Sequence, residues 1–283
     1  MSDARPARRY KIGDRIGAHH SVVGVVDKRA GRNPIYIVWD HAAWCPMACK
    51  VFKSQARAER EASFLSDLAH PNVLRCFGLG DQAVVFLDFL EGPTLERLLD
   101  SQEAGRLSVA NALRIAIHIG AALAYMHSKG VIYLDLSASN IILTPGGRPV
   151  LIDFGGARRF DEPRPSKVIG TDPYISPEEC LQQPVTSAAD VFGLGVLLFE
   201  LLSGEHPFPK GTQGAPFPQI QSSPAELRTL RRGLPSRLEE LVMSCLQRDP
   251  LSRPSLAALL PSLHACIRTG PAMWPAGFSP GDG

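Results

Sequence analysis

Tyr133-Leu134-Asp135-Leu136-Ser137-Ala138-Ser139-Asn140, followed thirteen residues later by Asp153-Phe154-Gly155, is the stretch that decides how this chain is read. An aspartate, an asparagine five residues on and a second aspartate carry the oxygen atoms that can hold a metal-bound nucleotide and orient a hydroxyl for phosphoryl transfer. Asn140-Ile141-Ile142-Leu143 and Pro149-Val150-Leu151-Ile152 read as two short strands joined through Pro145-Gly146-Gly147. Such a hairpin returns Asn140 toward Asp153, so their separation in sequence permits a shared site.

On the N-terminal side the chain reads as strands. Ser21 to Val26 and Pro34 to Trp39 are short apolar runs bounded by Gly, Asn and Pro, and Met47-Ala48-Cys49-Lys50-Val51-Phe52 is another with a lysine inside it. A lysine in an apolar strand is costly unless it is paired, although lysine is also a common edge-strand residue. Gln55 to Ala69 changes to helical spacing through Ala58, Ala62, Leu65 and Leu68, which sets Glu61 near the inner stripe as a partner for Lys50. Glu59, the competing acid, faces away. Val73 to Gly80 and Ala83 to Phe89 read as two further strands, and residues 89 to 93 as a hinge.

Beyond it the sequence is helix-rich. Thr94 caps Leu95 to Asp100, and Ser108 opens a long helix that Gly130 closes. Residues 156 to 180 read as irregular. Ser187 to Ser203 is an apolar helix with one acid, Asp190, near its start, ending at Gly204. The Pro/Gly/Gln-rich run from Pro207 to Pro224 reads as a mobile loop. Ser236 with Glu239 has the spacing of a capping box for a helix to about Gln247, and Ser255 to Ile267 makes another helix.

Composition narrows the class. With 283 residues and 45% hydrophobic content, the chain can build a packed core, and disorder is excluded. Thirty basic against 28 acidic residues leave a net charge of +2, which gives no bulk electrostatic case for nucleic acid. Neither a secretory signal nor a run of about 20 apolar residues is read, so no membrane span and a cytoplasmic location are expected. The six cysteines are scattered; Cys45 and Cys49 have a spacing that permits a shared metal or a disulfide, and incidental placement in a strand is the simpler reading.

In order along the chain, the residues resemble the eukaryotic-type Ser/Thr protein kinases from about Tyr10 to Ile267. Met47-Ala48-Cys49-Lys50 is similar to the V-A-I-K strand, residues 133 to 140 to H-R-D-L-K-P-x-N, and Asp153-Phe154-Gly155 to D-F-G. Gly170-Thr171-Asp172-Pro173-Tyr174-Ile175-Ser176-Pro177-Glu178 is similar to the G-T-x-x-Y-x-A-P-E end of an activation segment. Asp190-Val191-Phe192-Gly193-Leu194-Gly195 resembles D-V-W-S-x-G, and Asp249-Pro250-Leu251-Ser252-Arg253-Pro254 the late D-P-x-x-R-P. Six motifs in the correct order make chance improbable.

The resemblance implies an α+β, bilobal protein-kinase-like fold, with a β-rich N-lobe over residues 1–89, a mainly helical C-lobe over 90–269 and a Pro/Gly-rich tail over 270–283. It implies a Mg-ATP-dependent Ser/Thr protein kinase with Asp135, Lys50 and Glu61 as catalytic residues. Lys50, Gly17, Asp88 and Leu90 would bind ATP, and Asn140 and Asp153 Mg²⁺. Thr171 marks the activation segment, a Glu178–Arg253 pair braces the substrate lobe, Asp190 anchors the catalytic loop, and the partner is a protein with a Ser/Thr acceptor.

Three departures stand beside it. Gly17-Ala18-His19-His20-Ser21-Val22-Val23-Gly24 keeps only the first glycine of a glycine-rich loop; a second register uses Gly31 and Pro34-Ile35-Tyr36, leaving Ser21 to Val26 as an extra strand, and both stay open. Leu134 replaces an arginine that would pair with an activation-segment phosphate. Ser137 replaces a lysine whose loss costs on the order of a few kcal/mol in the barrier unless Arg158 or Lys167 substitutes. These departures motivate the alternative: a pseudokinase acting as a nucleotide-binding or scaffold module with little turnover.

Overall fold

The computed structural model describes residues 7–27, 33–162, 172–212 and 214–267. Gly31, Arg164, Lys167, Gly170, Thr171 and the tail with Trp274 and Phe278 lie outside them. The chain divides into two compact units, one ending at Leu90 and one beginning at Glu91.

The first unit is an antiparallel sheet with one helix. Strands β1 (Arg15–Ile16), β2 (His20–Asp27), β3 (Ile35–Asp40), β4 (Cys45–Val51), β5 (Cys76–Gly80) and β6 (Val84–Asp88) are ordered β1-β2-β3-β4-β6-β5. Strand alternation decides which face is dry: Tyr36 and Val38 on β3, and Met47, Cys49 and Val51 on β4, join Tyr10, Ile16, Val22, Val84 and Phe86 in one core. Lys50 therefore points to the other face. There helix α1 (Gln55–Ser66) packs against β5 and β6, burying Ala58, Glu61, Ala62, Phe64 and Leu65. Cys45 and Cys49 both lie on β4, four residues or roughly 13 Å apart along the strand, too far for a disulfide between them, and burial pushes the Cys49 pKa up to about 12.

The second unit is built on helices. Thr94 Oγ1 accepts from the Arg97 N–H at 3.3 Å and starts α2 (Leu95–Asp100), and Ser108 does the same for α3 (Val109–Ser128) through the Asn111 N–H at 3.2 Å. Strand β7 (Val131–Ile132) follows, then a 3₁₀ turn at Ala138–Asn140 and the hairpin of β8 (Ile141–Leu143) with β9 (Pro149–Leu151). Helix α5 (Ala188–Ser203) is buried nearly all round and packs on α3 and α7 (Ser236–Cys245), while α8 (Leu256–Ala265) closes on α3. Gly195 permits the α5–α7 approach: a Cβ there would lie 2.6 Å from Cys245 Cβ.

Several expectations are corrected. Residues 156 to 180 are not wholly irregular, because β10 (Arg158–Arg159) pairs with β7 and α4 (Pro177–Cys180) follows. The capping box belongs to Ser176 and Glu179 at α4. At α7 the cap position is Pro235, and Glu239 accepts instead from Arg228 N at 3.2 Å and Arg228 Nε at 3.1 Å, beside α6 (Leu227–Leu230). The Pro207–Pro224 run is anchored by a 3₁₀ turn at Pro218–Ile220, where buried Gln219 donates to Ile175 O at 2.9 Å. Helix α5 carries a second acid, Glu200. Finally, α3 has the length and mean hydropathy, 1.4, to cross a membrane, contrary to the reading that no run approaches this; in the fold it is a core helix of the second unit.

Candidate active site

In the first unit, β4 and α1 meet at one ion pair. Lys50 Nζ donates to Glu61 Oε1 at 2.7 Å and Oε2 at 2.8 Å, with the lysine 5% and the glutamate 3% exposed. The Phe52 ring centroid lies 5.2 Å from the ammonium. Of the two acids considered on α1, Glu61 is the partner. A charge buried this deeply is tolerated only when paired and hydrogen-bonded, and the two short contacts supply that.

Gly17 is not brought to this pair. Strand register places Lys50 opposite Ile35, whereas the turn containing Gly17 leads into His20, opposite Asp40 at the other end of β3. Five residues of strand separate those levels, roughly 17 Å. Gly31, the glycine of the second register, lies outside the described residues, and Ser21 to Val26, which that register made an extra strand, belongs to β2 and pairs with β3, while β1 is the strand at the sheet edge. Asp88 ends β6, and its N–H donates to Arg75 O at 2.9 Å; Leu90 closes the unit, half-buried.

In the second unit, one carboxylate organises the catalytic stretch. Asp190 Oδ2 accepts from Tyr133 N at 2.9 Å and lies 2.7 Å from His127 Nε2, while Oδ1 accepts from Leu134 N at 2.8 Å. These bonds hold Leu134 at φ 64°, a left-handed conformation costly for leucine, and so set the direction in which Asp135 leaves the turn. Asn140 Nδ2 donates to Asp135 O at 2.9 Å, which fixes the amide and directs its oxygen away from that contact. The hairpin then returns the chain as expected: Ile152 N donates to Asn140 O at 2.9 Å, one residue before Asp153. Asp153 also has positive φ, 61°, and its Oδ1 accepts from Gly155 N at 3.2 Å. Asp135, Asn140 and Asp153 are thus held in one part of the fold.

A carboxylate and an amide oxygen, each oriented by main-chain bonds, form a hard donor set suited to Mg²⁺. Tyr133, fully buried, donates its hydroxyl to Ile152 O and packs edge-on against Phe154 at 5.2 Å, occupying the histidine position by packing. Ser137 is 1% exposed, with its hydroxyl 3.0 Å from that of Ser139. It is turned into the protein.

Around this stretch, Arg253 Nη1 and Nη2 each donate to Glu178 at 2.7 Å, with further bonds to the Gln247, Arg248 and Ala188 carbonyls and Phe192 under the guanidinium. This pair joins the Glu178 and Arg253 motifs within the second unit, as expected. Residues 35–263 match the protein kinase domain profile. The chain belongs to the eukaryotic-type Ser/Thr protein kinase family. The match begins at β3 of this kinase, leaving β1 and β2 outside it.

Among its relatives, the kinase is 34% identical over 236 residues to the serine/threonine-protein kinase PkaA of Streptomyces coelicolor, covering 77% of this chain and 42% of that protein. It is 30% identical over 266 residues to PkaB of the same organism, covering 86% and 61%, and 26% identical over 257 residues to PrkC of Bacillus subtilis, covering 86% and 39%. The kinase therefore spans less than two thirds of the length of each of these relatives. Sequence reasoning passed over Glu200 and the His127–Asp190 contact. A lone glutamate near the end of an otherwise apolar helix was the available signal for Glu200.

Proposed function

We propose that this kinase transfers the γ-phosphoryl group of Mg-ATP to a Ser/Thr hydroxyl of a protein substrate, and that it does so in the cytoplasm. The observation that carries the reading is the buried Lys50–Glu61 pair: a lysine held by both carboxylate oxygens at 2.7 and 2.8 Å is oriented as binding of α/β-phosphates requires. Asp88 and Leu90 present main-chain groups to adenine, and Asn140 with Asp153 would hold Mg²⁺. The bound ion supplies neutralisation of phosphate charge. Asp135 accepts the proton of the attacking hydroxyl and orients it. The names of the relatives support Ser/Thr specificity.

Ser137 favours a second reading. Its buried hydroxyl offers no cation at the lysine position, and Arg158, one suggested substitute, lies 3.8 Å from the Glu162 carboxylate; Lys167, the other, is outside the described residues. A nucleotide-binding module with little turnover would result. Turnover of labelled ATP with generic protein substrates separates the two: wild type is expected to exceed Asp135→Asn by about 10²–10⁴-fold. Equal, negligible signals from both, with Mg-ATP still raising the melting temperature, would establish the second reading.

A further inference from the structure

Two arginines meet in the second unit, at the junctions where the chain enters α3 and leaves α6. Arg106 Nη1 donates to Leu230 O at 3.3 Å, while Arg231 Nη1 donates to Leu107 O at 2.6 Å and to Leu202 O, near the end of α5, at 2.9 Å. Each arginine thus bonds the residue beside the other, which brings both guanidinium groups to one place. Both side chains are half-buried, and neither is ion-paired among the described residues. The acids of α7 are engaged elsewhere, Glu239 with Arg228 at 3.1 Å and Glu240 with Arg237 at 3.4 Å.

Carbonyls orient these groups without neutralising them. Burial and the positive charge of Arg106 lower the Arg231 pKa, and no carboxylate offsets either cause. Around the pair the charge has the same sign: exposed Arg232 follows in sequence, and α3, whose cap Ser108 lies two residues past Arg106, has no acid in its first turn. The concentration is local, since the whole chain carries only +2. Both arginines meet their carbonyls through Nη1 alone, so Nε and Nη2 of each remain as donors for a ligand.

We propose that Arg106 and Arg231 form a docking site for a phosphorylated protein segment, the two guanidinium groups holding the phosphoryl group of one phosphoserine or phosphothreonine. Charge and shape select that ligand. A carboxylate offers a single negative charge, whereas a phosphoryl ester carries about −1.5 to −2 at pH 7 on three acceptor oxygens, which matches two planar forks. An anionic membrane is met by clusters of projecting basic side chains, and these two are instead half-buried and tied to carbonyls, which suits a phosphoryl group brought in on a peptide. Neither the Lys50–Glu61 pair nor the stretch from Asp135 to Asp153 takes part. Binding therefore stands apart from turnover; its use, recruitment of proteins already phosphorylated at another residue, rests on the function proposed above.

Fluorescence anisotropy with two dye-labelled probes, a degenerate peptide pool centred on phosphothreonine and the same pool centred on threonine, tests this on the whole chain without ATP. Wild type is expected to bind the phosphorylated pool at least about tenfold more tightly, and less so as salt rises. Arg106→Gln, and Arg231→Lys, which keeps the charge and removes the fork, should each lose about tenfold in affinity for that pool, with exposed Arg57→Gln on α1 unchanged. Arg106 gives up a single carbonyl bond, so Arg106→Gln decides the question if Arg231→Lys unfolds, with the melting temperature as the check on folding. A pair that serves only to cap carbonyls would lower the melting temperature in both variants and leave phosphopeptide affinity where it was, which overturns the site. Equal binding of the two pools also overturns it. So do inorganic phosphate competing as well as the phosphorylated pool, which marks an adventitious anion only, and capture by phosphatidate vesicles without binding of that pool. Arginine-dependent phosphopeptide binding in a protein that turns over no ATP counts against the kinase activity alone and leaves the docking site standing.

Discussion

Asp190 shows how much a single carboxylate organises. Three donors, Tyr133 N, Leu134 N and His127 Nε2, converge on it from two elements, and the left-handed Leu134 depends on the bond that it receives. Asp190→Asn replaces one acceptor oxygen by a donor facing N–H groups. A loss of about 2–4 kcal/mol is expected in urea unfolding, together with a fall in turnover. Leu134 carries its own prediction. Its apolar side chain cannot bind phosphate, so phosphatase treatment of the purified kinase should change turnover by less than about twofold, where an arginine-dependent loop would lose activity. These residues were legible because each is chemically conspicuous where it stands, like Lys50 in an apolar strand. Gly17 was misplaced for a physical reason: a glycine signals a turn, and it does not say at which end of the sheet that turn lies.

Among the elements, helix ends were the least legible. Ser236 and Glu239 have the capping-box spacing, yet the acid is taken by Arg228, a contact across eleven residues that no local pattern encodes. The real box, at Ser176 and Glu179, has a testable titration. Burial raises the Glu179 pKa from 4.5 to about 8, against the bonds from Ser176. In the unfolded chain the group ionises near 4.5; in the fold it stays protonated to about 8, so stability falls with rising pH across that window. Glu179→Gln should flatten that part of the melting-temperature profile. Gly92 governs a different junction. It has φ 127°, and a Cβ there would come 1.9 Å from Leu143 O. Gly92→Ala must displace the β8 backbone and is expected to cost at least about 2 kcal/mol in thermal or urea unfolding.

At the scale of the whole molecule, the change from period-2 to helical patterning near residue 90 foreshadowed two kinds of architecture, and the contacts divide the chain between Leu90 and Glu91. The helical core of the second unit was legible in its apolar spacing. The pairing β10–β7 was not, because two arginines have no strand signature of their own. The first two strands, which lie outside the family match, have a practical bearing on how this protein is handled. β1 covers β2 only at His20 and Ser21, and Val23 and Val26 farther along β2 are exposed. Tyr10, Ile16 and Val22 complete the core over Tyr36 and Val38, with Tyr10 N donating to the Tyr36 hydroxyl at 3.0 Å. A shortened protein starting at Ile35, where the family match begins, would present β3 as a bare apolar sheet edge, the usual template for intermolecular strand addition. Insoluble expression is the expected outcome, and sedimentation of the soluble fraction beside the full chain would measure it.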